Sequence, residues 1–194
     1  MTKPRIVGIA GSVRRPSKTR ALVQALGAEA GRLKAVDLIV HDLAEIGPGL
    51  GAALSRAQLM PDARRVLRDI ETADALIVGT PVYKGSYAGL FKHLFDFVEP
   101  EALRNVPVAL AATGGGHRHA LVVEQHLRPL FGFFEALTIP TAVYAAESDF
   151  DAGALADAGV IERVATAAGQ LSALLGQRTG HAFNAAPVRL ALAR

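Results

Sequence analysis

Short apolar runs alternate along the chain with longer segments in which apolar residues recur every three or four positions. The runs predict five strands, at residues 5–10, 35–41, 75–79, 106–112 and 138–145. The periodic segments predict five helices, at residues 17–31, 61–73, 90–98, 117–136 and 161–175. This alternation is typical of a parallel sheet with helices on both faces. The pattern therefore predicts one α/β domain with a doubly wound, five-stranded parallel sheet.

Two segments fall outside the alternation. Residues 47–51 contain three glycines and a proline, which predicts a glycine-rich, mobile loop between the second strand and the second helix. Residues 177–194 follow the last helix as a predicted C-terminal tail, so the domain is assigned to residues 1–176. Leu190 and Leu192 make this tail partly apolar, which suggests that it docks on a neighbouring subunit.

Composition narrows the class of protein. Among the 194 residues 51% are apolar, yet no apolar run approaches the ~18–20 residues that span a bilayer. The first residues of the chain do not contain the apolar segment that is typical of a signal peptide. The lack of cysteine excludes disulfides and thiolate chemistry. We therefore expect a cytoplasmic protein without a membrane partner, whose surplus apolar surface lies in subunit contacts. The net charge of +3 is too small to indicate nucleic-acid binding.

Residues 11–20, between the first strand and the first helix, combine hydroxyl groups with positive charge. The hydroxyls belong to Ser12, Ser17 and Thr19, and the cations are Arg14, Arg15, Lys18 and Arg20. Six basic and no acidic residues lie within residues 1–28. Because a helix N-terminus presents unpaired N–H groups, these features predict a phosphate site. The alternative is an ordinary strand–turn–helix in which Ser17 only caps the helix.

Phosphate loops of other classes do not match this segment. A Walker loop requires Gly-Lys-Ser/Thr, and a dinucleotide-binding fingerprint requires G-x-G-x-x-G. A low-molecular-weight phosphatase requires a cysteine nucleophile, and the chain has no cysteine. The groups available to a phosphate are therefore hydroxyls, backbone N–H groups and cations.

Two further loops are predicted at the same edge of the sheet, where ligands bind in open α/β folds. Residues 80–87 follow the third strand, and Pro81, Tyr83 and Gly85 offer an apolar surface that a ligand can approach closely. Residues 113–116 follow the fourth strand, and their three glycines expose bare amides. A phosphate at one end and a flat polar heterocycle at the other describe FMN.

Together the three loops resemble those of the NAD(P)H-dependent FMN reductase family. Residues 11–19 fit the pattern G-S-x-R-x-x-S-x-[ST], residues 80–92 resemble the family's flavin-edge segment, and residues 113–115 resemble its second ring-contacting loop. Within the family, the reductases of two-component alkanesulfonate and methanesulfonate monooxygenase systems are the most similar. The resemblance implies a flavodoxin-like fold with strand order 2-1-3-4-5, which the hydrophobic pattern does not itself fix.

The resemblance also implies which residues contact the flavin. The expected phosphate contacts are Ser12, Arg14, Ser17 and Thr19, with Arg20 as a further cation of the loop. The expected ring contacts are Pro81, Val82, Tyr83, Lys84 and Gly85, with Thr113, Gly114, Gly115 and Gly116 opposite. No side chain is assigned as a catalytic acid or base, because backbone N–H groups of the two ring loops can stabilise charge on the flavin. Packing roles for Tyr83 and Tyr87, and a solvated charge for Lys84, stay open as alternatives.

The resemblance implies an oxidoreductase that transfers a hydride from NADH or NADPH to FMN and passes reduced FMN to a partner monooxygenase in sulfonate desulfonation. Three alternatives stay open: a quinone or azo reductase that retains its FMN, a flavodoxin-like electron carrier, and a binding protein without activity. The basic charge argues against the carrier, because such carriers are usually acidic. No metal is predicted, because His117 and His119 point apart on a helix and have no cysteine or acidic partner nearby.

Pro129 lies inside the predicted helix at residues 117–136, where proline removes a backbone donor and clashes with the preceding turn. In the sulfonate-system reductases that the chain resembles, this helix carries a one-residue insertion, usually a tyrosine, that forms a π-turn at a tetramer interface. His126 occupies the matching position. We therefore predict a π-turn near residues 121–129, with His126 facing another subunit of a homotetramer built as a dimer of dimers. The alternative is a helix kinked at Pro129 with His126 as an ordinary interface residue.

Overall fold

The computed structural model of the chain describes residues 3–175. Seven strands form the main sheet, and they are β1 (Arg5–Ala10), β2 (Asp37–Asp42), β3 (Ala75–Tyr83), β4 (Ser86–Tyr87), β5 (Pro107–Gly114), β6 (Leu137–Thr138) and β7 (Val143–Ala146). A separate hairpin consists of β8 (Phe150–Asp151) and β9 (Ala154–Leu155). The α-helices are α1 (Lys18–Leu33), α2 (Leu43–Gly51), α3 (Pro61–Glu71), α4 (Gly89–Phe95), α5 (Arg128–Phe133) and α6 (Ala158–Leu175). The tail predicted at residues 177–194 lies outside the described residues.

The main sheet has the strand order β2-β1-β3-β5, and both β6 and β7 pair with β5 on its far side. All of these pairs are parallel, whereas β4 pairs antiparallel with the end of β3. Since β6 and β7 are two halves of the predicted fifth strand, this is the flavodoxin-like order 2-1-3-4-5. The predicted fold is confirmed.

The predicted fifth strand is interrupted between β6 and β7. Pro140 has no N–H to donate to a neighbouring strand, and the N–H of Thr141 donates to Gln170 Oε1 at 2.9 Å instead. Pairing resumes at Val143, opposite Ala111 of β5. This interruption, together with the short strand β4, explains why the sheet has seven strands where the pattern predicts five.

Apolar residues pack on both faces of the sheet. One face is covered by α2, α3, α4 and α5 around the aromatic residues Phe91, Phe95 and Phe131. The other face is covered by α1 and α6, which bury Leu22 and Leu171. Strands β1, β3 and β5 are therefore buried on both sides, which holds their carboxyl ends in place at one edge. Within residues 3–175, no helix combines the length and the apolar character needed to cross a bilayer.

Residues 47–51 are helical, so the predicted mobile loop is wrong. They form the second half of α2, which begins after Asp42, whose carboxylate accepts a backbone N–H of the first turn at 3.2 Å. Leu43, Ile46 and Leu50 lie on one face of this helix and are buried in the core. Their burial outweighs the low helix propensity of the glycines and the proline.

The predicted helix at residues 117–136 is divided into three parts. A 3-10 turn spans His117–His119, a π-helix spans Val123–Leu127, and α5 follows from Arg128. Pro129 follows the π-helix in a backbone that stays helical from Val123 to Phe133, so the irregular hydrogen bonding of the π-turn, and not a helix start, accommodates its missing N–H. The predicted π-turn is confirmed, and the continuous helix is not formed.

Candidate functional site

A cleft of roughly 410 Å³ opens at the carboxyl ends of the parallel strands. The loop after β1, the start of α1 and the ends of β3 and β5 line it with Ser12, Arg14, Pro16, Ser17, Lys18, Thr19, Pro81, Val82, Tyr83, Thr113, Gly114 and Gly115. The end of β7 and the segment after it contribute Ala146, Glu147, Phe150, Ala152 and Gly153. The structure thus brings most of the predicted site residues together, and four of them lie outside the lining, namely Arg20, Lys84, Gly85 and Gly116.

Two serines fix the loop after β1. The Ser12 side chain is buried, and its Oγ accepts the N–H of Arg14 at 3.1 Å. Ser17 caps α1, because its Oγ accepts the N–H of Arg20 at 3.1 Å. Each hydroxyl still has its own proton to donate, so both serines can bind an anion at the N-terminus of α1.

The path of this loop also depends on close packing at Gly11. Its N–H donates to the Gly79 carbonyl at 2.7 Å. A Cβ at this position would lie 2.8 Å from Phe91 Cδ2 and 3.1 Å from the Gly79 carbonyl oxygen. Only a glycine lets β1 leave the sheet so close to β3 and α4.

The cations of the loop have different partners. Arg15 and Arg20 both reach the buried carboxylate of Asp42, with Nη–Oδ2 distances of 3.1 and 2.5 Å. This pairing explains why Arg20 does not line the cleft. Arg14 has no carboxylate partner within residues 3–175, and its guanidinium carbon lies 5.9 Å from the centre of the Tyr83 ring. Arg14 is therefore the cation of this loop that an anion can engage without displacing a carboxylate.

Two threonines join the first turn of α1 to the end of β5. Thr19 Oγ1 and Thr113 Oγ1 are 2.7 Å apart, and both side chains are buried. One hydroxyl donates to the other, so one of the two protons remains for a ligand. The hydrogen bond fixes the distance between the N-terminus of α1 and the end of β5.

The loop after β3 is a tight hairpin. Strand β3 runs four residues beyond its predicted end, and Tyr83 pairs with Ser86 of β4. Lys84 and Gly85 form the turn between them, with φ angles of +52° and +85°. A two-residue type I′ turn requires such a left-handed pair. Lys84 and Gly85 therefore form the tip of the hairpin, outside the lining, whereas residues 81–83 face the cleft.

The glycines after β5 have two different environments. A Cβ at Gly114 would lie 2.2 Å from Tyr144 Oη, whereas a Cβ at Gly115 would have no heavy atom within 4 Å. Tyr144 Oη donates to the Gly116 carbonyl at 2.6 Å and holds the loop in place. Burial, helped by the negative charge of Asp149, raises the pKa of Tyr144. Gly114 is thus required by internal packing, and Gly115 leaves open space in the cleft wall.

The loop after β7 is a part of the site that sequence analysis missed. Asp149 is buried, and its Oδ2 accepts the N–H of Ala146 at 2.8 Å, which closes the loop. Glu147 Oε1 accepts from Lys18 Nζ at 2.8 Å across the cleft. This hydrogen bond, with the charge of the lysine, lowers the pKa of Glu147. In the sequence, this loop is signalled by the turn-forming run Asp151-Ala152-Gly153, which comes a few residues after a strand that ends at the same edge.

The two histidines after β5 have different neighbours, and the expectation that neither has an acidic residue nearby is wrong for His117. His117 Nε2 lies 3.7 Å from Asp149 Oδ1, and His119 Nε2 accepts from Arg118 Nε at 3.2 Å. In the part of the chain that the structure describes, no group of three or more histidine, cysteine or acidic side chains could hold a metal ion.

His126, within the π-helix, contacts the hairpin. Its Nδ1 lies 3.0 Å from Ser86 Oγ, and its ring meets the Tyr87 ring edge-on at a centroid distance of 6.2 Å. These contacts connect the π-helix to the hairpin that carries Tyr83. Contact of His126 with another subunit stays a prediction.

Comparison with known proteins places the chain in a family. Residues 4–151 match the family model of NADPH-dependent FMN reductases. The chain belongs to this family. A protein of Pseudomonas aeruginosa named FMN reductase (NADPH) is 47% identical over 180 residues, which cover 92% of this chain and 97% of the relative. The NADH-dependent FMN reductase SfnF of Pseudomonas fluorescens is 46% identical over 177 residues, which cover 91% and 95%.

A solved structure supports the same placement. An oxidoreductase from Corynebacterium diphtheriae superposes with a TM-score of 0.81 at 33% identity, covering 90% of this chain and 98% of that one. In the present member of the NADPH-dependent FMN reductase family, the cleft has two chemically different ends. The charged end consists of Ser12, Arg14, Ser17 and Lys18, and the backbone end consists of residues 81–83 with residues 114–115.

Proposed function

We propose that the protein is a flavin reductase that transfers a hydride from NADH or NADPH to FMN. The observation that carries the proposal is that the charged end and the backbone end meet in one cleft, in a chain of the NADPH-dependent FMN reductase family. The cleft of roughly 410 Å³ is within the range of about 300–1,000 Å³ that small-molecule sites occupy.

The charged end fits the phosphate of FMN. Ser12 and Ser17 have hydroxyl protons to donate, and the N-terminus of α1 has unpaired N–H groups. Arg14 provides a cation that no carboxylate of the described chain engages. Together these groups are the donors that a phosphate monoester requires, and riboflavin would leave them without a partner.

The backbone end fits the flavin ring. Residues 81–83 form one wall, and the open space at Gly115 lets a flat ring approach the backbone opposite. FMN, when bound, supplies the ring that accepts the hydride. We assign to the chain the binding and orientation of this ring, with peptide N–H groups of the lining residues 82–83 and 114–115 as donors that stabilise negative charge. In this proposal, no side chain of the cleft acts as an acid or a base.

We further propose that reduced FMN passes to a partner monooxygenase in sulfonate desulfonation. The resemblance to reductases of two-component systems supports this role. The two relatives named above differ in their nicotinamide, since one name specifies NADPH and the other NADH. Parallel initial-rate measurements with NADH and NADPH therefore decide which nicotinamide the present protein prefers.

We infer that the protein works as a homotetramer, built as a dimer of dimers, in the cytoplasm, where NADH and NADPH are abundant. Leu121 and Phe133 precede and follow the π-helix, and they are 63% and 68% exposed. Large apolar side chains exposed on both sides of one segment are suited to subunit contacts. Sedimentation of the purified protein over a range of concentrations measures the assembly directly.

A single set of assays tests the function. Flavin-free protein is mixed with NADH or NADPH, with and without FMN, FAD or riboflavin, and nicotinamide oxidation is recorded. We expect FMN to accelerate oxidation most, because it alone combines a terminal phosphate monoester with the ring. No acceleration by any flavin would contradict the proposal. Yellow protein that survives gel filtration and turns over quinones by a ping-pong mechanism would instead identify a reductase that retains its FMN.

A further inference from the structure

Three charged side chains line the cleft, and two of them already neutralise each other. Arg14 and Lys18 are the cations, and Glu147 is the carboxylate. Lys18 Nζ donates to Glu147 Oε1 at 2.8 Å and lies 3.4 Å from the Glu147 carbonyl oxygen. With two cations and one carboxylate, the lining carries one net positive charge where Arg14 and Lys18 alone would give two.

The remaining cations of the loop after β1 do not supply the missing charge. Arg15 and Arg20 both bond to Asp42 and Glu45, so two carboxylates balance these two cations. Of the four cations in the loop, only Arg14 has no carboxylate partner among residues 3–175. The charged end is therefore less positive than its sequence suggests.

Glu147 is held at the rim by a well-fixed turn. The carbonyl of Asp149 accepts the N–H groups of Ala156 and Asp157 at 2.9 and 3.1 Å, and its carboxylate accepts the N–H of Ala146. The Glu147 side chain itself is 71% exposed. Its carboxylate therefore stays near Lys18, yet the bond between them lies on the solvent side, where an ion pair is easily exchanged for another partner.

We propose that Glu147 competes with the flavin phosphate for Lys18 and thereby lowers the affinity for FMN. This inference rests on the flavin reductase function proposed above. A phosphate monoester carries about −1.5 to −2 charges near neutral pH. When Lys18 turns from Glu147 to this phosphate, the carboxylate is left without its partner beside an anion. The resulting lower affinity favours exchange of FMN as a substrate over its retention as a fixed group.

The variant Glu147→Gln tests the competition, since it keeps the size of the side chain and removes its charge. Dissociation constants are measured by flavin fluorescence at low ionic strength, where screening is weak. We expect FMN to bind roughly two- to fivefold more tightly, which is the range that exposed ion pairs allow. Riboflavin has no phosphate, so its affinity should not change. An FMN affinity equal to that of the wild type would overturn the inference.

A matched control removes a carboxylate that pairs with a cation away from the cleft. Glu29 pairs with Arg32 at 2.6 Å in the last turns of α1, and neither residue lines the cleft. Glu29→Gln should leave the affinity for both flavins unchanged. An equal gain in FMN affinity from Glu29→Gln would show that overall charge is responsible, and would overturn the specific role of Glu147.

The double variant Lys18→Gln/Glu147→Gln separates competition from simple repulsion. Lys18→Gln alone should weaken FMN binding, because it removes a cation from the charged end. In that background, Glu147→Gln should no longer tighten FMN binding. A gain of the same size with and without Lys18 would show direct repulsion between Glu147 and the phosphate, and would overturn the proposed competition.

Failure of the proposed function has a different signature. If the wild-type protein neither binds FMN nor oxidises NADH or NADPH in its presence, both the function and this inference are wrong. If the wild type reduces FMN, and Glu147→Gln binds FMN and riboflavin as the wild type does, the function stands and only the inference is wrong.

Discussion

The two ends of the cleft are built to recognise a ligand in different ways. At the charged end, Ser12, Arg14 and Ser17 present side-chain donors that a single substitution can remove. At the backbone end, residues 81–83 of the hairpin and the bare Gly115 form the wall, so recognition depends on the course of the main chain. Phosphate affinity should therefore respond to removal of side chains, whereas ring affinity should respond to their addition.

The largest effect is expected at the charged end from Arg14→Ala. This change removes the cation that has no carboxylate partner in the described chain. Because a charge-assisted hydrogen bond contributes about 1.5–3 kcal/mol, FMN should bind roughly ten- to a hundredfold more weakly. Riboflavin should bind almost as before. Titration of flavin fluorescence with both flavins measures the difference.

Arg15→Ala is the matched control for Arg14→Ala. Arg15 is adjacent in the chain and carries the same charge, but its guanidinium is engaged by Asp42 and Glu45. Its loss should weaken FMN binding much less than the loss of Arg14. If Arg14→Ala instead weakens FMN and riboflavin equally, then Arg14 acts on the shape of the cleft and not on the phosphate.

The two ends also differ in how well the sequence predicts them. At the charged end, Ser12 and Ser17 can be identified from the sequence as part of a candidate anion site, because they lie in a hydroxyl-rich loop between a predicted strand and a predicted helix. The bounds of β1 are predicted in full, since a run of apolar residues ends at Gly11. At the backbone end, the pattern does not reveal that Lys84 and Gly85 form a turn outside the cleft.

Two other features could not be predicted because long-range contacts decide them. Residues 47–51 have the composition of a loop, and burial of their helix against the core overrides that composition. Glu147 belongs to no recognisable sequence motif. Its side chain contacts Lys18 in the cleft, and Lys18 lies 129 positions away in the chain. Local propensity cannot encode a contact at that separation.

At the backbone end, adding a methyl group should lower the unfolding free energy at Gly114 and leave it unchanged at Gly115, although the two glycines are adjacent. In Gly114→Ala the new Cβ would lie 2.2 Å from Tyr144 Oη, and overpacking of this kind costs about 1–3 kcal/mol of unfolding free energy. Gly115→Ala meets no neighbour within 4 Å and should leave stability unchanged. Urea unfolding of the flavin-free variants measures both.

Two further variants sharpen this contrast. Tyr144→Phe removes the clashing oxygen, so it should recover part of the stability lost in Gly114→Ala. Gly115→Val fills the open wall, so it should weaken FMN and riboflavin binding alike while the protein stays folded. Full flavin affinity in Gly115→Val would mean that Gly115 serves only the turn.

The hydrogen bond between Thr19 and Thr113 joins the two ends of the cleft, and its loss should lower the unfolding free energy of the protein. Thr19→Val leaves the buried hydroxyl of Thr113 without its partner, which costs about 1–2 kcal/mol of unfolding free energy. Thr19→Val/Thr113→Val removes both hydroxyls and should be more stable than the single variant. A double variant that loses the sum of the two single effects would show that the threonines act independently.

The smallest effect is expected from His126→Ala, which removes the hydrogen bond between the π-helix and the hairpin. Loss of the His126–Ser86 contact should lower the unfolding free energy by about 0.5–1.5 kcal/mol, or the Tm by a few degrees. Because Ser86 pairs with Tyr83, the hairpin wall of the cleft should also become less well positioned, and riboflavin affinity should fall slightly together with FMN affinity. His126→Asn, whose amide can replace the imidazole Nδ1, should restore part of both losses. Deletion of His126 differs in kind, because it removes one residue from the π-turn. It should restore a regular α-helix there and weaken the proposed tetramer, which sedimentation experiments measure. If His126→Ala matches the deletion in assembly as well as in stability, the side chain alone is responsible and the extra residue of the π-turn has no role of its own.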